Sequence, residues 1–173
     1  MKRPGRDIPR PPARLVLTTP EHLVAFGFGA GLAPVAPGTA GTLVGLPFFF
    51  ALACLPWPAY AAATAALFVF GCWVCGASSR LLQVHDYPGF VFDEIVGFLI
   101  ACLPLLPGLQ GPQWHWSLEL LAAFVLFRLF DVLKPWPIRL IDRHVHGGLG
   151  IMLDDAVAGA AAAGCLWGLG QLI

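Results

Sequence analysis

Charged residues in this sequence are confined to a few short stretches. Between them run five apolar segments, 42–55, 59–77, 95–106, 116–133 and 156–173. That partition decides the class of fold. Hydrophobic residues make up 58% of the 173 and charged residues only 12%, about half the roughly 25% of a soluble domain. A water-soluble domain of this size could not bury so much apolar surface, so the pattern predicts an integral membrane protein built as an all-α, polytopic helical bundle. Ten basic and ten acidic residues cancel, which leaves no footprint for nucleic acid. High hydrophobicity with zero net charge also excludes a disordered chain.

The second, fourth and fifth segments approach the ~20 residues that a spanning helix needs. The first and third are short, since ~14 helical residues reach about 21 Å against a core of ~30 Å. They begin deeper in the flanking segments, thin the bilayer locally, or are re-entrant. Four or five membrane segments are therefore expected. Residues 1–20, rich in Pro and Arg, read as a basic cytoplasmic tail, and 21–173 as a single membrane-embedded domain. The start does not read as a signal peptide, because the apolar run ends at Leu17 and Glu21 and His22 follow without a cleavage site. Residues 21–41 are rich in glycine, and Pro34 and Pro37 argue against continuous helix there. A re-entrant or interfacial segment is predicted.

With the N-terminus in the cytoplasm, the inner parts are 1–41, 78–94 and 134–155, and the outer loops are 56–58 and 107–115. Every Lys and Arg then lies on the inner side, counting Arg128 near the inner end of the fourth segment, as the positive-inside rule demands. Trp57, Trp114 and Trp116 fall at the outer boundary, where aromatic belts form.

The same topology collects Asp93, Glu94, Arg128, Asp131, Lys134, Asp142, Asp154 and Asp155 on one membrane face. Asp93-Glu94 and Asp154-Asp155 are acidic pairs, each placed just ahead of an apolar run and so expected at a helix N-terminus. Capping accounts for one acid at such a place, not for two converging pairs. Converging carboxylates repel, and a hard divalent cation removes that cost. Mg²⁺ suits oxygen-only ligands and keeps waters for a phosphate substrate. Arg128 and Asp131 share a helix face, with Lys134 one turn further on before Pro135 and Pro137. They read either as an ion pair neutralising charge in lipid or as a phosphate clamp, with Asp131 on the metal or orienting the arginine.

The run 27–41 lacks the G-K-[ST] ending of a P-loop. It serves either close packing or an approach of backbone to a ligand. His85, His144 and His146 are interfacial polar residues or proton carriers. The five cysteines lie in apolar runs, and Cys72 and Cys75, though spaced C-x-x-C, read as small buried side chains.

Three stretches, GFGAGLAPVAPGTAGTL (27–43), VHDYPGFVFDEIVG (84–97) and FRLFDVLKPWPIRLIDRHVHGGLGIMLDDAVAG (127–159), together resemble the phosphatidylglycerophosphatase A family. The resemblance covers roughly residues 21–165. It implies a Mg²⁺-dependent phosphatase of the bacterial inner membrane that removes the terminal phosphate of phosphatidylglycerophosphate to give phosphatidylglycerol. Signatures of other phosphatases are missing, including a D-x-D-x-[TV] nucleophile, a C-x5-R loop, and the P-S-G-H and S-R-x5-H motifs of type 2 lipid phosphatases.

The expectation is direct hydrolysis at the cytoplasmic face. Asp93, Glu94, Asp131, Asp154 and Asp155 are the candidate metal ligands, and Arg128 and Lys134 the phosphate-binding cations. Bilayer lipid and the lipid phosphate are the partners, and the oligomeric state is left open. The alternative is a small transporter or channel lined by intramembrane charge. It requires polar residues along the whole bilayer depth, whereas these form a one-sided layer.

Overall fold

The computed structural model describes residues 10–84, 87–106 and 116–171. The basic residues before Arg10, together with His85, Asp86 and the predicted outer loop 107–115 with Trp114, lie outside them. Every regular element among the described residues is helical. The order is α1 Ala13–Thr18, α2 Pro20–Ala25, a 3₁₀ turn Gly27–Leu32, α3 Pro37–Leu52, α4 Trp57–Leu82, α5 Phe92–Ala101, a 3₁₀ turn Leu103–Leu105, α6 Trp116–Leu133, α7 Ile138–His144 and α8 Gly147–Gly170.

The bundle is organised around α8, which packs against α4, α5, α6 and α7. Helix α5 is enclosed between α3, α4, α6 and α8. Ile95, Val96, Phe98, Leu99 and Ala101 have no exposed surface. At ~1.5 Å per residue its ten residues reach about 15 Å, half a hydrocarbon core. A half-length helix is tolerable only because protein surrounds it, and the Tyr60 hydroxyl of α4 donates to the Leu99 carbonyl near its end at 2.9 Å.

Close backbone approach seats α5 on α8. A Cβ on Gly159 would collide with the Gly97 carbonyl, and one on Gly97 would meet the Phe127 ring and the Asp155 carbonyl. Small residues at such a crossing let helices pack where no hydrophobic force separates protein from lipid. Gly159→Ala is expected to lower the unfolding midpoint in detergent by several degrees, from an overpacking cost of about 1–3 kcal/mol. Gly164→Ala, where a Cβ meets nothing within 4 Å, should leave it unchanged or higher. Equal behaviour of the two variants would refute this packing account.

Of the membrane segments expected, two helices, α4 and α8, are long and apolar enough to cross a membrane by length and composition. Helix α3 has 16 residues. Helix α6 has 18 and keeps the predicted bounds, but carries Glu119, Arg128 and Asp131. Its Leu118, Leu121, Val125, Leu129 and Val132, spaced three or four apart, are all exposed. The result is a continuous apolar stripe along one face.

The largest departure from the sequence reading is the start of α8. The expected boundary placed Asp154-Asp155 ahead of the last helix, whereas they are its eighth and ninth residues. The glycines of 147–150 look like a break but form the first turn. Gly148 lies so close to the Cys72 carbonyl, and Gly150 to the Val145 carbonyl, that neither position accepts a side chain. The Gly/Pro-rich segment is short 3₁₀ turn and bend before α3 starts at Pro37. Part of the predicted tail is folded, since α1 buries Val16 completely. His22 of α2 is also buried and its Nδ1 lies 2.7 Å from the Ser78 hydroxyl of α4, a tie the sequence did not announce. All five cysteines carry free thiols.

Candidate active site

Three helices deliver these acidic residues to one place. Asp93 and Glu94 are in the first turn of α5, Arg128 and Asp131 in the last turns of α6, Lys134 just beyond it, and Asp154 and Asp155 inside α8. Because α5 and α8 cross at Gly97 and Gly159, about one turn from each acidic pair, the pairs are drawn together. One ligand oxygen each from Asp93, Glu94 and Asp155 lies within 4.8 Å of the others. Glu94 Oε2 and Asp155 Oδ2 are buried and accept no hydrogen bond among the described residues. Burial, and then the Asp155 charge, push the Glu94 carboxyl above its usual range. Such a cluster is costly without a cation.

Two cations border it, each between two carboxylates. Arg128 Nη1 lies 2.6 Å from Asp131 Oδ2 and 3.7 Å from Glu94 Oε1. Lys134 Nζ donates to Asp142 Oδ1 at 2.7 Å and to Asp154 Oδ2 at 2.5 Å. Burial disfavours the ammonium, but the Asp154 and Asp142 carboxylates outweigh it and hold the lysine pKa above its usual value.

A cavity of about 180 Å³ opens over the cluster. Asp93, Glu94, Asp131, Lys134, Asp154 and Asp155 line it, joined by Asp142 of α7, by Val145 just after that helix and by an aromatic wall of Tyr87 and Phe90. Tyr87 and Phe90 pack on Phe26 with ring centroids 5.5 and 5.4 Å away, so the residue that ends α2 backs that wall. All seven residues singled out in the sequence are in this region. Arg128 differs from the other six because it does not line the cavity. Its guanidinium holds carboxylates instead.

His144 and His146 are exposed, and each Nδ1 is directed at a backbone carbonyl, at 2.8 and 3.1 Å. Neither lines the cavity. Sequence reasoning put Asp142 on the same membrane face but gave it no role, and it missed Gly38. The latter is in the first turn of α3, where a Cβ would collide with Glu94 Oε1 and press on the Arg128 guanidinium. The glycine-rich run therefore serves the site through packing.

Comparison with known proteins gives one consistent result. A family model described as phosphatidylglycerophosphatase A matches residues 23–170. A phosphatidylglycerophosphatase A of Escherichia coli is 42% identical over 159 residues, 92% of this chain and 88% of that protein. One of Haemophilus influenzae is 42% identical over 149 residues, covering 86% and 87%. A Bacteroides thetaiotaomicron protein, provisionally named a phosphatidylinositol-3-phosphatase, is 40% identical over 144 residues, covering 79% and 85%. No solved structure matches the chain. With the match spanning nearly every described element, including all four that build the acidic cavity, the chain belongs to the phosphatidylglycerophosphatase A family.

Proposed function

We propose that this chain is a phosphatase that hydrolyses the terminal phosphomonoester of phosphatidylglycerophosphate, giving phosphatidylglycerol and phosphate, at the cytoplasmic face of the bacterial inner membrane. The family carries the reaction class. The observation that carries the chemistry is the three-carboxylate cluster beneath a cavity that also receives a lysine ammonium.

The donor set fits Mg²⁺, being all oxygen and with two buried carboxylate oxygens that lack a hydrogen-bond donor. Asp93, Glu94 and Asp155 would hold the ion. Asp131 and Asp154, also read as ligands from the sequence, each have Oδ2 engaged by a cation and would reach the ion through Oδ1. Bound there, the metal would neutralise phosphate charge and lower the pKa of a bound water. Lys134 supplies a positive charge from the cavity wall for the phosphate oxygens, where charge gathers in the transition state. Arg128 fixes Glu94 and Asp131 from behind. Tyr87 and Phe90 close one side of the cavity against water. Among the described residues no imidazole lines the cavity, and a carboxylate of the cluster is the group placed there to move protons.

In this reading α3, α4, α6 and α8 cross the bilayer and α5 enters it halfway, with the tail 1–20 and the cavity on the cytoplasmic side. The exposed apolar stripe of α6 supports it, since a contiguous exposed apolar face marks contact with lipid or a partner. So does the one-sided placement of Lys and Arg.

Phosphate release from phosphatidylglycerophosphate in detergent micelles should require Mg²⁺ and stop with EDTA. Release that ignores EDTA would remove the metal from the mechanism. No release from folded protein, with or without Mg²⁺, would remove the activity. A parallel assay on phosphatidylinositol 3-phosphate separates the two substrates that the relatives' names suggest.

A further inference from the structure

We propose that Asp142 is a positioning residue that holds the Lys134 ammonium at the cavity, a role resting on the phosphatase reading above. Lys134 follows the last residue of α6 in the left-handed region, at φ +43°. A lysine held there is disfavoured and persists only where its surroundings fix it. The surroundings are two carboxylates on different elements, Asp154 of α8 at 2.5 Å and Asp142 of α7 at 2.7 Å.

An ammonium has three donors on a flexible four-carbon stem. Two are engaged by these carboxylates, which come from two walls of the same cavity. The third is left for a phosphate oxygen. Asp154 alone would tether the ammonium from one side and leave the stem free to swing. Asp142 supplies the second anchor.

Asp142 is also the more exposed of the pair, with 39% of its side chain accessible against 10% for Asp154. An ion pair that exposed adds little to stability. Its removal should therefore be felt at the phosphate rather than in the fold, which separates positioning from a merely structural part.

The test compares wild type with Asp142→Ala, Asp142→Glu, Lys134→Ala and the double alanine variant. The readouts are phosphate release from phosphatidylglycerophosphate micelles, inhibition by inorganic phosphate, and the unfolding midpoint. Asp142→Ala should unfold at the wild-type temperature. It should lose about tenfold in kcat/KM, as a small displacement of a phosphate-binding group does, and need correspondingly more inorganic phosphate for inhibition. Asp142→Glu should recover part of both. On the Lys134→Ala background the alanine at 142 should have no further effect, since its action passes through the lysine. Wild-type kinetics in Asp142→Ala would overturn the proposal, and so would an equal loss with Lys134 absent. A wild type that is itself inert would instead overturn the phosphatase reading and the proposal with it.

Discussion

Asp155→Asn is expected to abolish turnover while leaving the protein as stable as before, or more so. Asp155 is 3% exposed, inside α8, and faces a cluster that already holds Asp93 and Glu94. Asparagine has nearly the same shape, so packing at the α5–α8 crossing is kept. What disappears is one charge from a group of buried like charges, which relieves repulsion in the metal-free protein. The same charge is one of three that would hold the cation. Its loss is expected to cost about 10³-fold in kcat/KM, the equivalent of ~4 kcal/mol. Stabilisation on binding provides a second readout, because a ligand that favours the folded state raises the unfolding midpoint. Wild type should show that rise with millimolar Mg²⁺, and Asp155→Asn should not. Phosphate release at the wild-type rate from the variant would rule out this carboxylate as a metal ligand.

Gly38→Ala is expected to cost about 10²-fold in activity, although the position touches no substrate in the mechanism above. A Cβ there would collide with Glu94 Oε1 and lie 3.0 Å from both Arg128 Nη atoms. These are the ends of flexible side chains, so the helix need not move and folding should survive. The carboxylate and guanidinium have to give way, and a displacement of about 1 Å at a reacting centre costs on that order. Turnover should fall with an unfolding midpoint within a few degrees of wild type. Normal turnover would mean that Glu94 and Arg128 have other productive positions. Loss of folded protein would mean that the approach of α3 is a stability constraint first.

How much of this was legible beforehand follows from which forces act locally. The acidic pairs were readable because charge at membrane depth is costly and rarely incidental. The bounds of α6 were readable because Pro135 and Pro137 stop a helix. The start of α8 was not. Glycines at 147, 148 and 150 signal a break by their propensity, and only the neighbouring carbonyls of Cys72 and Val145 explain why helix forms there. Arg128 and Lys134 looked alike as phosphate-binding cations. The structure separates them by a left-handed residue at the end of α6, which turns Lys134 toward the cavity and has no signature in a lysine. Asp142 stayed hidden for the same reason, since its meaning depends on where that turn sends α7.

The central place of α8 bears on how the molecule comes into being. Translation runs from the N-terminus, and α8 emerges after every other element of the site. Until it does, α4, α5, α6 and α7 lack the surface they share, and Asp154 and Asp155 do not yet exist. A nascent chain halted just before Gly147 holds Asp93, Glu94, Asp131 and Asp142 but not the helix that gathers them, with α5 too short to cross on its own. Assembly and activity therefore arrive together, with α8.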